Sequence, residues 1–419
     1  MLSLDYIRQN PTLVKAAAKN KNRQVDIDKI LKLDEKRRTL ILKIQKLREE
    51  RNLLAKQKVD DNVINRGKQI KENLKMLEKE LTAVEQGLNN LLYEVPNPAA
   101  NDVAIGTDET DNIVVKKYKE PTIFDFKPLD HLDIGEKLEI IDVSTAGKVS
   151  GTRFAYLKNE AVILEFALVQ FALKILINEG FIPVIPPVLI KKEITDKLGY
   201  WQAGGNEDYY WVHEPQESQG LYLVGTAEHS IVPMHMNEVL LEKDMPKRYV
   251  GFSSSFRRES GSYGKDTRGI LRVHQFDKVE MVSFVIPENG DKEHDYLLSL
   301  EEKLFQALQI PYQVVKMCSE DLGFPAARKY DIEAWIPSQN KYREVTSTST
   351  TTDFQARRLN IKYRKKGETQ FVHILNGTAF AIGRTIISIL ENYQQPDGSV
   401  IIPEVLRPYT GFEKIAKKS

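Results

Sequence analysis

Arg257 and Glu259 close an apolar, aromatic run over residues 249–256, and Phe276 and Glu280 lie in a second run over 276–284. Between the runs, Gly261, Gly264, Lys265, Arg268 and Gly269 belong to a basic, glycine-rich connection too long for a simple hairpin. Connections of that length inside a compact domain are usually functional. Arginine forks match phosphate oxygens and aromatic faces stack on planar groups, so the set suits a nucleotide. A surface hairpin with solvated ion pairs would carry some of the same residues, and this stretch alone does not separate the two. Further clusters bear on the choice. Thr226 and Glu228 end a strand pattern over 220–228, and Glu344 stands three residues before Ser347 in a hydroxyl-rich run. Arg384 enters an otherwise apolar helix, where an unpaired buried charge is costly and an anionic or aromatic partner is needed.

The elements that must position these residues follow from local pattern. Residues 112–118 and 151–157 read as strands, and 130–140 and 143–147 as helical. Residues 161–180 form the most apolar helix, capped by Gly180. A proline-bearing strand follows over 181–189; prolines cannot donate to a ladder, so it belongs at a sheet edge or against another subunit. A helix apolar on nearly every face needs burial on more than one side. The helix and strand over 161–190 together read as a homodimer interface. Residues 198–220, rich in glycine and aromatics, read as a mobile loop. Beyond the central runs come a helix over 294–308, strands over 312–317 and 330–336, and a strand from 341 that gives way to a hydroxyl-rich turn. A last strand begins at 373 and turns into the helix that carries Arg384.

Ahead of all this lies a regular seam. Ile30, Leu33, Arg37, Leu40, Ile44, Leu47, Arg51 and Leu54 alternate spacings of three and four. After a break at 59–62 the seam resumes as Val63, Gly67, Ile70, Leu74, Leu77, Leu81, Val84, Leu88, Leu91 and Val95. Two heptad segments around one short break describe an antiparallel helical hairpin, a coiled-coil arm over about 27–95. Each helix would run roughly 45 Å. Lys43, Lys46, Arg48, Arg51, Lys56, Lys58, Arg66, Lys68 and Lys71 cluster towards its turn, a skew that suits a phosphate backbone. Pro96 and Pro98 end the arm, and the acidic stretch to residue 111 reads as a linker. The domains are therefore 1–111 and 112–419.

The 419 residues carry a net charge of only +1, so whole-chain charge neither points to nor excludes a nucleic-acid partner. One cysteine, Cys318, leaves no intrachain disulfide and no cysteine-based zinc cluster, and its setting fits a packed thiol. No apolar run approaches a membrane span and the N-terminus lacks a signal-peptide profile, so a cytoplasmic protein is expected. A Gly-Lys-Ser/Thr phosphate loop and a dinucleotide glycine fingerprint are both missing.

Taken in order, the helix with its proline strand, the two runs bearing Arg257 and Glu259, and the strand–helix ending in Gly383 and Arg384 resemble the three signature motifs of class II aminoacyl-tRNA synthetases. In detail the chain is similar to the seryl-tRNA synthetases of bacterial type. The match rests on Thr226 to Glu228, Phe256 to Glu259, Asp266 to Gly269, His274 to Glu280, Asp353 to Arg358, Leu375 to Gly377, and on the arm itself. It covers essentially the whole chain. Ser349, Thr350 and Thr351 depart from the usual Ser-Asn-Cys, and Gly225 stands where proline is frequent.

The resemblance implies an α+β fold, an antiparallel sheet flanked by helices and preceded by the arm. It implies activation of L-serine with ATP and transfer to tRNA(Ser), with tRNA(Sec) as a further candidate. Arg257 and Arg384 would be the catalytic charges, Arg257 bridging the serine carboxylate and the ATP α-phosphate. Phe276 and Arg384 would sandwich the adenine, Glu259 and the Val273 backbone would read its edge, and Arg272 would hold the γ-phosphate. Arg258, Val345 and Thr346 would complete the ATP site. Glu344 and Ser347 would bind Mg²⁺. Serine would meet Thr226, Ala227, Glu228, Glu280, Asn376 and Thr378. Arg48, Arg51, Lys56, Lys58, Lys68 and Lys71 would contact the tRNA, on the other subunit of the dimer, and residues 261–269 would reach for its acceptor stem. A ligase loading serine onto a protein carrier would have no need for the arm. A catalytically dead RNA-binding paralogue should have lost Arg257, Glu259, Phe276 or Arg384, and all four are present.

Overall fold

The computed structural model describes residues 1–58, 60–200, 208–213, 220–260, 266 and 268–417. Two units divide at Pro98/Ala99. In the first, two short helices, α1 (Leu4–Gln9) and α2 (Pro11–Asn20), precede the long pair α3 (Ile27–Leu54) and α4 (Asp61–Tyr93). Asp26 and Asp60 cap the long helices by accepting from the backbone N–H of Lys29 and Val63, both at 2.8 Å. The seam buries Ile30, Leu40, Ile44, Ile70, Leu74, Val84, Leu88 and Val95 as its spacing requires, but Leu92 is buried in place of Leu91. Arg37, which interrupts the seam, is held by Glu85 across the hairpin at 3.3 Å.

The expected boundary after residue 111 falls too late. Ala99, Ala100 and Val103 pack on Val315, Met317, Leu322 and Ala326 of the second unit. The Ala100 N–H donates to Ala327 O at 2.8 Å and the Ser319 N–H to Ala104 O at 2.9 Å. The stretch looks like an acidic linker by composition, yet Val103 is buried and Ala99 and Ala100 are partly so. Cys318 is buried beside it.

In the second unit, β1 (Ile113–Tyr118) is followed by the apolar helix α5 (Glu160–Asn178) and by β2 (Ile182–Val184). After two short helices, α6 (Lys192–Leu198) and α7 (Glu228–Ile231), come β3 (Lys247–Phe256) and β4 (Gln275–Val285). Then follow α8 (Gly290–Ala307), β5 (Tyr312–Lys316), β6 (Arg328–Ile336), β7 (Lys341–Thr350), α9 (Phe354–Leu359), β8 (His373–Ala381) and α10 (Ile382–Asn392). Eight strands make one sheet in the order β1-β5-β6-β7-β8-β4-β3-β2. All pairings are antiparallel except β2 with β3. The core joins Val279, Met281, Ile332 and Ala334 of the sheet to Leu164 and Leu168 of α5, Leu300 and Leu304 of α8, and Ile386 and Ile389 of α10.

Three local expectations change. The strand expected over 181–189 is broken at its prolines: Ile182–Val184 takes the edge of the large sheet, while Leu189–Lys191 pairs with Leu221–Leu223. The strand expected over 151–157 shrinks to Tyr156–Leu157. The hydroxyl-rich run is not a turn but the body of β7, where β-branched threonines fit a pleated, half-buried surface. The Thr348 hydroxyl donates to Asn376 O of β8 at 2.9 Å, tying the central strands together.

Candidate active site

Strands β4, β7 and β8, the segment that follows β3, the start of α10 and the residues around α7 enclose a cleft of about 430 Å³. Two β-bulges set its lining. Between β4 and β8 the register slips at Val279/Glu280, leaving Glu280 directly across from Thr378. Between β6 and β7 it slips at Ile332/Glu333, so that Ile332 faces Thr346 while Glu333 faces Glu344. The extra residue, Val345, shifts the strand's phase and lets Glu344 and Ser347, three apart, share the cleft.

At the nucleotide-suited end, Arg257 directly follows β3. Its backbone N–H donates to His274 O at 2.9 Å, while His274 Nδ1 bonds Arg257 O at 3.0 Å. His274 therefore brackets the arginine rather than entering the cleft. The Arg257 Nε–H donates to Gly225 O at 3.2 Å, and its guanidinium lies 5.3 Å from the Phe276 ring centre. Glu259, in the left-handed backbone region with φ 53°, pairs with Arg272 at 2.9 Å. Arg384 donates to Leu271 O at 3.3 Å and to Glu344 O at 3.0 Å, and its guanidinium is 3.1 Å from the Glu344 carboxylate. Glu344 is thus the anionic partner that the arginine requires. Burial would raise the Glu344 carboxyl, but Arg384, Lys329 and Arg257 outweigh it and hold the group at about 2. Val273, Val345 and Thr346 also line this part.

At the opposite end Glu280, 2% exposed, receives the Thr378 hydroxyl at 2.9 Å and Lys278 Nζ at 2.8 Å, both on Oε2. Glu228 is buried, and its carboxylate accepts from Tyr200 Oη at 2.7 Å and from Gln355 Nε2 at 3.0 Å. Burial pushes the Glu228 carboxyl up, a push that the Gln355 and Tyr200 bonds oppose. His229, driven down to about 3 by burial and by Arg257 and Lys278, is neutral. Its Nδ1 accepts from the Gly225 N–H at 3.3 Å, a bond that a proline at 225 could not make. Thr226 and Asn376 complete the lining.

The cleft therefore gathers nearly every residue expected of it. Ala227 and Arg258 are exceptions: Ala227 is fully buried in a core cluster with Ile231, and Arg258 is exposed, its N–H bonded to Asp208 O at 2.8 Å. Lys278, Lys329, Tyr200 and Tyr209 line the cleft without having been anticipated. Strand periodicity places Lys278 on the face of Glu280 and could have found it; the tyrosines carry no such signal. The loop expected to be mobile falls partly on 201–207 and 214–219, and the acceptor-stem loop on 261–265 and 267, all outside the described residues. Arg268 pairs with Asp130 and Asp133.

On the arm, Arg51, Lys56, Lys58, Lys68 and Lys71 are exposed, whereas Arg48 pairs with Glu78 at 2.8 Å and Arg66 with Glu50 at 2.6 Å within the hairpin. Among the described residues no cluster of three or more His, Cys, Asp or Glu is placed to hold a metal, and no helix is long and apolar enough to cross a membrane.

An antiparallel sheet with Phe276 on one strand pair and Arg257 and Glu259 directly beyond the end of that pair, which leads through its next strand into a helix bearing Arg384, defines a class II aminoacyl-tRNA synthetase core. Residues 210–393 match the tRNA synthetase class II core domain (G, H, P, S and T), and residues 1–99 the seryl-tRNA synthetase N-terminal domain. The serine–tRNA ligase of Dictyoglomus turgidum is 44% identical, covering 100% of both chains, and that of Treponema denticola 42%, covering 99% of this chain and 100% of its own. The seryl-tRNA synthetase of Pyrococcus horikoshii, solved in complex with ATP, superposes with a TM-score of 0.93 at 40% identity and 100% coverage of both chains. The chain belongs to the seryl-tRNA synthetase family.

Proposed function

We propose that the protein activates L-serine with ATP, forming seryl-adenylate and pyrophosphate, and transfers serine to the 3′ end of tRNA(Ser). The observation that carries this reading is the single cleft that joins Arg257, Phe276, Glu259, Arg272 and Arg384 to the paired acids Glu228 and Glu280. The serine carboxylate attacks the α-phosphorus in line. The bond from that phosphorus to the bridging oxygen breaks, and pyrophosphate leaves. Arg257 lies between carboxylate and α-phosphate and neutralises charge on both. Phe276 and Arg384 hold the adenine between a ring and a guanidinium, Glu259 accepts from its amino group, and Arg272 takes the γ-phosphate. No side-chain nucleophile is needed, because rate comes from positioning and charge stabilisation. The tRNA hydroxyl then attacks the adenylate carbonyl and AMP departs.

Serine offers three handles. Its carboxylate goes to Arg257 and its hydroxyl to Glu280 and Thr378, which leaves the buried Glu228 carboxylate for the α-ammonium, with Thr226 and Asn376 alongside. Glu344 and Ser347 present one carboxylate and one hydroxyl on the same strand. That donor set fits Mg²⁺, which keeps several waters and shares its coordination with substrate phosphates. The ion, when bound with ATP, would draw off charge from the leaving pyrophosphate.

The reading extends to partners. The exposed Arg51, Lys56, Lys58, Lys68 and Lys71 support an RNA backbone as the arm's ligand. On α5, Ile163, Phe166 and Ile177 are exposed along one stripe, and Ile182 and Ile185 follow it. Such a patch supports a homodimer through 161–190. A cytoplasmic location goes with these substrates. The test is exchange of labelled pyrophosphate into ATP by the purified protein. Serine should drive it; exchange with threonine, alanine or glycine but not serine overturns the proposal.

A further inference from the structure

Glu228 is fully buried, and two neutral donors aim it. One is Tyr200 Oη, at 2.7 Å from both carboxylate oxygens. The other is Gln355 Nε2, on α9, at 3.0 Å from Oε1. A carboxamide can face either way, so something must decide which end Gln355 presents. Its Nε2 also faces Leu198 O at 3.4 Å, while its Oε1 lies 3.2 Å from the Thr351 hydroxyl. That hydroxyl is also 3.0 Å from Ile374 O, which receives the Thr351 N–H at 2.9 Å as well. A carbonyl oxygen can accept twice, so the one hydroxyl proton is shared between Ile374 O and Gln355 Oε1. With oxygen towards a donor and nitrogen towards two acceptors, only one orientation of the amide satisfies all three contacts. Thr351 and Gln355 are both buried.

We propose that Thr351 and Gln355 are positioning residues for the amino acid's α-ammonium: the Thr351 hydroxyl orients the Gln355 carboxamide, which with Tyr200 holds the Glu228 carboxylate towards the substrate. This rests on the reading of Glu228 as the ammonium's partner. Neither Thr351 nor Gln355 lines the cleft, so both act through Glu228. Serine must meet Glu228 ionised, and the donors favour that form. Facing Glu228 are also Glu280, which opposes ionisation, Lys278, which favours it, and Tyr209. His229 beside it is neutral.

The experiment measures serine-dependent pyrophosphate exchange by the full chain and its Thr351→Val, Thr351→Ser and Gln355→Met variants, with KM for serine and for ATP and the pH profile of each. Thr351→Val should raise KM for serine about 3- to 10-fold, the range of one neutral hydrogen bond. KM for ATP and the melting temperature should stay near wild type. Thr351→Ser, which keeps the hydroxyl, should restore KM for serine. The acid limb of kcat/KM for serine should move to higher pH in Thr351→Val and Gln355→Met, because a carboxylate that loses a donor is easier to protonate. Gln355→Met decides the matter if Thr351→Val does not fold. The inference is overturned if KM for serine moves no more than KM for ATP, if the acid limb stays in place, or if Thr351→Ser is as impaired as Thr351→Val. A wild-type protein without serine-dependent exchange removes the functional reading first, and the inference with it.

Discussion

Replacing Glu280 by alanine should collapse the discrimination between serine and alanine while leaving ATP use intact. Among the described residues the polar contacts of Glu280, with the Thr378 hydroxyl and with Lys278 Nζ, fall on Oε2, so Oε1 remains to accept the substrate hydroxyl. A hydrogen bond to an ionised group contributes about 1.5–3 kcal/mol. Losing it should lower kcat/KM for serine by about 10- to 150-fold. Alanine makes no such bond, so its kcat/KM should hold and the serine/alanine ratio should fall by the same factor. A second cost is separable. Lys278, with 8% of its side chain exposed, loses its ion-pair partner, and removing one member of a buried pair destabilises by about 3–5 kcal/mol. The double variant Lys278→Met, Glu280→Ala should recover melting temperature without recovering discrimination. Glu280→Gln, which keeps a neutral acceptor, should fall between wild type and Glu280→Ala. Pyrophosphate exchange with each amino acid, run beside thermal melting, reads all three. A serine/alanine ratio unchanged in a folded Glu280→Ala variant with normal KM for ATP would refute the argument.

Deleting residues 30–91 should leave serine-dependent exchange largely intact and abolish aminoacylation of tRNA(Ser), because the arm's seam is closed within its own unit; charging that survives in a gel-shift or acylation assay removes the arm as tRNA reader. Phe166→Asp, on the exposed stripe of α5, should convert a dimer into a monomer by sedimentation, and an unchanged sedimentation coefficient argues against that face. His294 is fully buried, and burial and Arg328 hold it at about 3 against an ordinary 6.5. Its folded pKa is depressed, so below about 6.5 the unfolded chain takes up a proton that the folded one does not. Stability should fall through this group by up to about 1.4 kcal/mol per pH unit between pH 6.5 and 3. His294→Gln should flatten that slope in denaturant titrations, and an identical slope would show that the group titrates normally.

The arm and the sheet differ in how openly the sequence declares them. A seam that repeats every three and four residues is a local property, so the helices that bury Ile30, Leu40, Ile70 and Leu88 could be read directly. Ala99, Ala100 and Val103 carry no period. Only the surface formed by Val315, Met317, Leu322 and Ala326, more than two hundred residues away, makes them part of a core, which is why an acidic composition suggested a linker. The proline strand failed differently: its propensity reading was sound, but the prolines exclude a continuous ladder, and the chain used the two sides of the break in two sheets.

The same division runs through the site. Phe276 and Glu280 are legible because each occupies a set position on β4, and Arg257 and Glu259 because they directly follow β3, its partner in a register that runs from Gln275 opposite Phe256 to Phe284 opposite Lys247. What the sequence leaves out is which groups meet across elements. Arg384 demanded an anion, and a residue count could not say that Glu344, expected as a metal ligand, would supply it at 3.1 Å. The ion pair and the proposed metal role are compatible: Arg384 holds the Glu344 carboxyl below the usual carboxylate range, and an ionised carboxylate is what a hard cation requires. Likewise the setting of Glu228 depends on Tyr200, which precedes it by 28 residues, and on Gln355, which follows it by 127, and no spacing rule joins the three. The residues proposed to touch substrate declare themselves by type, whereas those proposed to aim them are ordinary core polar groups until the fold brings them together. Substitutions at the second set should therefore change affinity for one substrate while leaving the chemistry with the other intact, and a rise in KM for serine alone is the mark by which such residues can be told from the first set.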